Sequence, residues 1–77
     1  MTQAAYYPAL TAAIETNKGI IMDALKKQGS WSRWYLKRQC EEKGFADDLS
    51  FTSAMDELVK EGKVTVTEDG EPHVTLQ

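Results

Sequence analysis

A chain of 77 residues with 42% hydrophobic and 27% charged side chains has room for one small globular domain, and its composition is not that of a disordered, collagenous or disulfide-stapled protein. A formal net charge of -3 and a pI near 5.0 exclude a strong, non-specific hold on a polyanion, which needs clustered Lys and Arg. No apolar run approaches the ~18 residues of a membrane-crossing helix, the start MTQAAYYPAL lacks the blocks of a signal peptide, and the single Cys40 fits a reducing compartment, so a cytoplasmic protein with no membrane partner is expected.

Residues 1–7 read as a frayed end, and Pro8 suits the N1 position of a first helix with Leu10, Ala13 and Ile14 on its apolar side. Asn17-Lys18-Gly19 is a local breaker, after which Ile20, Ile21, Ala24 and Leu25 resume the period. One kinked helix and two successive helices both satisfy this pattern, and two are the expectation. Residues 1–16 would then be an extension carrying an extra helix, a candidate homodimer contact, and residues 17–77 the main domain. Gly29 ends the segment, and Ser30 or Ser32 can cap a helix over residues 33–43 with Leu36 and Cys40 on its buried side. Gly44 is the expected left-handed stop, with Phe45 making the apolar contact that often accompanies one.

Residues 49–64, LSFTSAMDELVKEGKV, carry the most complete pattern. Ser50 is the expected N-cap, Phe51, Met55, Leu58 and Val59 the buried face, and Gly62 the C′ residue. Val64 to Thr67 then alternates as a strand, an Asp69-Gly70 turn follows, and residues 73–76 form the returning strand of a hairpin. A start at Met1 and a compact end at Gln77 favour a complete small protein over a domain cut from a longer one.

The run Ile21-Met22-Asp23-Ala24-Leu25 to Gly29, then Leu36, Gly44, Met55 through Val64 and a closing hairpin resembles the winged-helix (winged helix-turn-helix) family over residues 17–77. Its strongest piece, Leu58-Val59-Lys60-Glu61-Gly62-Lys63-Val64, looks like the end of the family's recognition helix entering the first wing strand. The resemblance implies an α+β fold of three core helices and a two-stranded C-terminal wing. It also implies a transcription regulator whose third helix enters the DNA major groove while the wing touches backbone or minor groove. The superfamily also includes many protein-interaction modules.

The outward positions of the third helix would be Thr52, Ser53, Asp56, Lys60 and Glu57. Thr52 and Ser53, with Ser50, can donate near the helix N-terminus, where anions are favoured. The Arg, Asn and Gln that most often read bases are missing, and Asp56 and Glu57 oppose phosphate. The wing tip carries Glu68, Asp69 and Glu71, where DNA-binding members usually place Lys or Arg. The second helix is the opposite: Arg33, Lys37 and Arg38 interleave with Trp34 and Tyr35, a pairing of charge and flat rings suited to phosphate contact, base stacking or a protein hot spot. Core filling is the competing role for Trp31 and for one of Trp34 and Tyr35.

His73 has no second His or Cys at metal spacing, Cys40 reads as packing, and Asp47-Asp48 as acids that favour a helix start. Gly62 and Gly70 belong to turns, so the residues suggest no catalytic, cofactor or metal site. The leading expectation is a dimeric regulator of double-stranded DNA using Arg33, Trp34, Lys37, Arg38, Ser50, Thr52, Ser53 and Lys60. The alternative is an adaptor or a mobile-element inhibitor whose Asp56, Glu57, Glu68, Asp69 and Glu71 meet a protein with a basic surface.

Overall fold

Ile14, Ile21 and Leu25 lie two turns and then one turn apart, so the apolar line crosses residues 17–19 without losing phase. The computed structural model, which describes residues 2–67 and 70–77 and the side chains from residue 10 onward, accordingly has one unbroken helix, α1 (Thr2–Gln28), where two were expected. Gly19 faces solvent, while Asn17 and Lys18 are buried and bound to other parts of the chain. Asn17, a poor helix former, is thus accommodated inside a helix where its side chain makes a tertiary contact. Lys26 and Lys27 occupy the last turn, where cations suit the helix dipole, and Gly29 follows at φ 86°.

A short strand that the sequence does not signal, β1 (Ser30–Ser32), leads into α2 (Arg33–Lys43). Ser32 is the cap: its hydroxyl accepts from the Tyr35 N–H at 3.1 Å. Leu36 and Cys40 are fully buried, as their spacing implies. Gly44 ends α2 at φ -136°, outside the left-handed region. A Cβ at Gly44 would lie 2.5 Å from Asn17 Oδ1 and 2.5 Å from Ile20 Cδ1, so glycine is needed there for close approach of the chain to α1. Phe45, expected to make a capping contact, is 44% exposed and lies outside the core cluster.

Helix α3 (Asp48–Lys60) is capped by Asp47, whose carboxylate accepts from the Ser50 N–H at 2.9 Å. Ser50, the expected cap, is a buried residue of the first turn. Phe51, Ala54, Met55 and Leu58 form the buried face, and Val59 is 46% exposed. Eight residues after Phe51, Val59 has turned about 80° further round the helix and away from the core. At the C-terminal end, Gly62 has φ 74°, its N–H donates to the Val59 carbonyl at 3.0 Å, and the Lys63 N–H donates to the Leu58 carbonyl at 3.0 Å. This is a Schellman closure, and it turns the chain into β2 (Val64–Thr67).

β2 pairs antiparallel with β3 (His73–Leu76), matching Val64 with Leu76 and Val66 with Val74. β3 also pairs with β1, so the sheet order is β1-β3-β2. The protein is therefore α+β, three helices and a three-stranded antiparallel sheet among the described residues. Ile21, Leu25, Leu36, Phe51, Leu58, Val64 and Val74 meet in one core, to which all three helices and both hairpin strands contribute. No described helix is long and apolar enough to cross a membrane.

Candidate interaction surface

Because Leu36 and Cys40 fix the buried line of α2, residues 34, 38 and 41 point away from the core and residues 33 and 37 toward the start of α3. Trp34 is 64% exposed, and the Arg38 guanidinium sits 5.2 Å from its ring centre. With Lys37 and Glu41 these side chains line a shallow depression of about 140 Å³. Tyr35 turns the other way and stacks on Trp31, ring centres 3.9 Å apart, while the Trp31 indole N–H donates to the Ala24 carbonyl at 2.8 Å. Of the aromatics on this stretch, Trp34 is therefore the surface residue, and Trp31 and Tyr35 are half-buried.

Two of the bases beside Trp34, Lys37 and Arg38, are paired with acids. Lys37 forms an ion pair with Asp48, and hydrogen bonding to that carboxylate raises the lysine pKa. Arg38 is 3.7 Å from Glu42. The Arg33 guanidinium lies 5.1 Å from the Phe51 ring centre, and the Arg33 backbone N–H donates to the Pro72 carbonyl at 3.0 Å, which ties the start of α2 to α3 and to the base of the hairpin. Asp47 also lies at this junction, its carboxyl held below the usual range by hydrogen bonding from Ser50.

On α3, Thr52, Asp56 and Lys60 are exposed, Ser53 is half-buried, and Ser50 is enclosed. Leu49, 53% exposed, joins Val59 on the outward side. Glu57 faces sideways: Lys18 of α1, itself buried, holds Glu57 Oε1 at 3.2 Å and Glu61 Oε2 at 2.9 Å, with Glu15 Oε2 at 3.4 Å. Its hydrogen bond to Glu61 is the largest influence raising the Lys18 pKa well above the ordinary value. Glu71 is exposed on the hairpin, whereas Glu68 and Asp69 lie outside the described residues.

The sequence-derived candidates thus divide. Arg33, Trp34, Lys37 and Arg38 gather at the α2 side of the α2–α3 pair, but Asp48 and Glu42 interrupt their positive charge. Thr52, Ser53, Asp56 and Lys60 share the outer face of α3, and Glu57 is drawn off to α1.

A second concavity, about 380 Å³, lies between α1 and the opposite side of α2. Trp31, Tyr35, Lys26, Lys27 and Lys43 line it, and the sequence does not reveal it because it depends on how α2 folds back along the preceding helix. The traceable signal is Tyr35, Gln39 and Lys43 recurring every four residues on one side of α2. Among the described residues, no cluster of three or more His, Cys, Asp or Glu is arranged to hold a metal ion. No family model, curated protein or solved structure matches the chain.

Proposed function

We propose that this chain is a non-catalytic winged-helix module of the cytoplasm whose α2–α3 face docks onto a protein. The winged-helix reading is supported by the order α1-β1-α2-α3-β2-β3 and by a central β3 that pairs with both the strand after α1 and its own hairpin partner. The observation that carries the docking reading is where exposed apolar groups fall. Among the described residues, the large exposed hydrophobics are Trp34, Phe45, Leu49 and Val59, and every one belongs to α2, α3 or the link between them. An exposed tryptophan stacked under an arginine is the typical composition of a hot spot. Ion pairing of Lys37 and Arg38 within the chain reduces what these two offer to phosphate.

The test is tagged protein expressed in its own cells, wild type against Trp34→Ala and Leu49→Asp, alongside duplex-DNA anisotropy at low salt. Stoichiometric recovery of a partner by the wild type that both variants lose supports docking. Salt-steep DNA binding with no stable partner overturns it.

DNA binding is the second reading, favoured by the Lys18 cluster: with Glu57 and Glu61 held by Lys18, Asp56 is the main acid left on the outer face of α3. In that reading a dimer joined through the N-terminal part of α1 grips duplex DNA through Arg33, Lys37 and Arg38, and Arg33→Ala with Lys37→Ala flattens the salt dependence.

A further inference from the structure

Of the lysines and arginines, Lys18, Lys37, Arg38 and Lys63 have a carboxylate partner among the described residues. Lys26, Lys27, Arg33, Lys43 and Lys60 have none there, and three of these, Lys26, Lys27 and Lys43, line the concavity between α1 and α2. α1 contributes Lys26 and Lys27 and α2 contributes Lys43, so ammonium groups from both helices line one opening, with Asp23 among them. The chain is acidic overall, so this local excess of positive charge runs against its background.

The lining also has a flat, rigid part. Trp31 is anchored by its indole N–H to the Ala24 carbonyl, and Tyr35 is stacked on it with an interplanar angle of 16°. Aromatic rings held this firmly offer a stacking edge and face at little entropic cost. Asp23 and Gln39 are the remaining polar lining groups. A carboxylate among lysines disfavours a simple polyanion but accepts hydrogen bonds from sugar hydroxyls or an exocyclic amine. The volume, about 380 Å³, is within the range of small-molecule sites and adequate for a mononucleotide.

We propose that the α1–α2 concavity binds a nucleoside phosphate, its base against the Trp31–Tyr35 pair, its phosphates on Lys26, Lys27 and Lys43, and Asp23 receiving hydroxyl or amino hydrogens. The site lies on a different side of α2 from Trp34 and does not depend on the docking surface.

The test uses the full chain carrying Trp34→Phe, which leaves Trp31 as the only indole, and follows its fluorescence during titration with ATP, GTP, adenosine and inorganic triphosphate. Saturable quenching by a nucleoside triphosphate, at least ten-fold tighter than by adenosine or by inorganic triphosphate, is the expected result. Lys26→Gln, Lys27→Gln and Lys43→Gln together should weaken it more than ten-fold, whereas Lys63→Gln, away from the concavity, should leave it within two-fold. The substituted lysines are exposed, and circular dichroism checks that the triple variant stays folded. No saturable quenching up to millimolar nucleotide overturns the proposal. So does equal binding of inorganic triphosphate, or equal weakening by Lys63→Gln, since either means unspecific attraction of charge.

Discussion

The side-chain amide of Asn17 pairs with both backbone groups of Phe45: Nδ2 donates to the Phe45 carbonyl at 3.1 Å and Oδ1 accepts from the Phe45 N–H at 3.1 Å. One buried residue in the middle of α1 thereby stands in for a strand partner and fixes the α2–α3 link, although the Phe45 ring itself is exposed. Asn17→Leu keeps the branching of the side chain, with more bulk, but leaves two backbone groups unpaired in a partly buried place. A loss of roughly 1–3 kcal/mol is expected, read as a lower urea midpoint; an unchanged midpoint would mean that water replaces the amide freely.

Two glycines should respond oppositely to the same change. Gly19 is inside α1 with nothing within 4 Å of an added Cβ, so Gly19→Ala should stabilise by about 0.5–1 kcal/mol through helix propensity. At Gly44 the new Cβ meets Asn17 Oδ1, which cannot swing aside without releasing Phe45. Gly44→Ala should destabilise by roughly 1–3 kcal/mol. Thermal or urea unfolding of the pair decides it, and equal effects would contradict the packing at Gly44.

These residues also explain what the sequence makes legible. The helix over residues 33–43, the hairpin and the Gly62 exit depend on neighbours along the chain, and local chemistry specifies them, whereas it leaves both Ser30 and Ser32 open as the cap. β1 is too short for a period-2 pattern to be visible, and its pairing with β3 is a contact across more than forty residues. Asn17-Lys18-Gly19 reads as a breaker for the same reason: the partners that justify the first two, Phe45 and Glu61, are remote in sequence. The basic cluster of α2 is evident from spacing, yet its neutralisation by Asp48 is a tertiary event. The α1–α2 concavity is equally invisible until Lys27 and Lys43 are brought to one opening.

Cys40 is fully buried, and burial pushes its thiol up to about 11. At pH 8 the thiolate is then on the order of one part in a thousand, and the sulfur is also shielded. Ellman's reagent should react slowly with the native protein, at a rate set by opening of the fold, and completely within minutes in urea. Rapid reaction without denaturant would show that α2 does not pack as described.

The Lys18 cluster should make stability depend on pH at both limbs. Hydrogen bonding to Glu61 raises the Lys18 pKa, and the same bond lowers that of Glu61. For a base with a raised folded value, the gain is complete below the unfolded lysine value, about 10.4, and fades as pH rises through the folded one. For an acid with a lowered folded value, the gain is complete above the unfolded glutamate value, about 4.3, and fades as pH falls through the folded one. The contribution of the pair is therefore full between those two unfolded values and declines outside them. Glu61→Gln removes the charged acceptor while keeping a polar group of similar shape, so its urea midpoint should lie below that of the wild type at pH 7. At pH 3 the two curves should converge, because the wild-type carboxylate is then losing its advantage. A gap as wide at pH 3 as at pH 7 would mean that Glu61 acts through packing and not through its charge on Lys18.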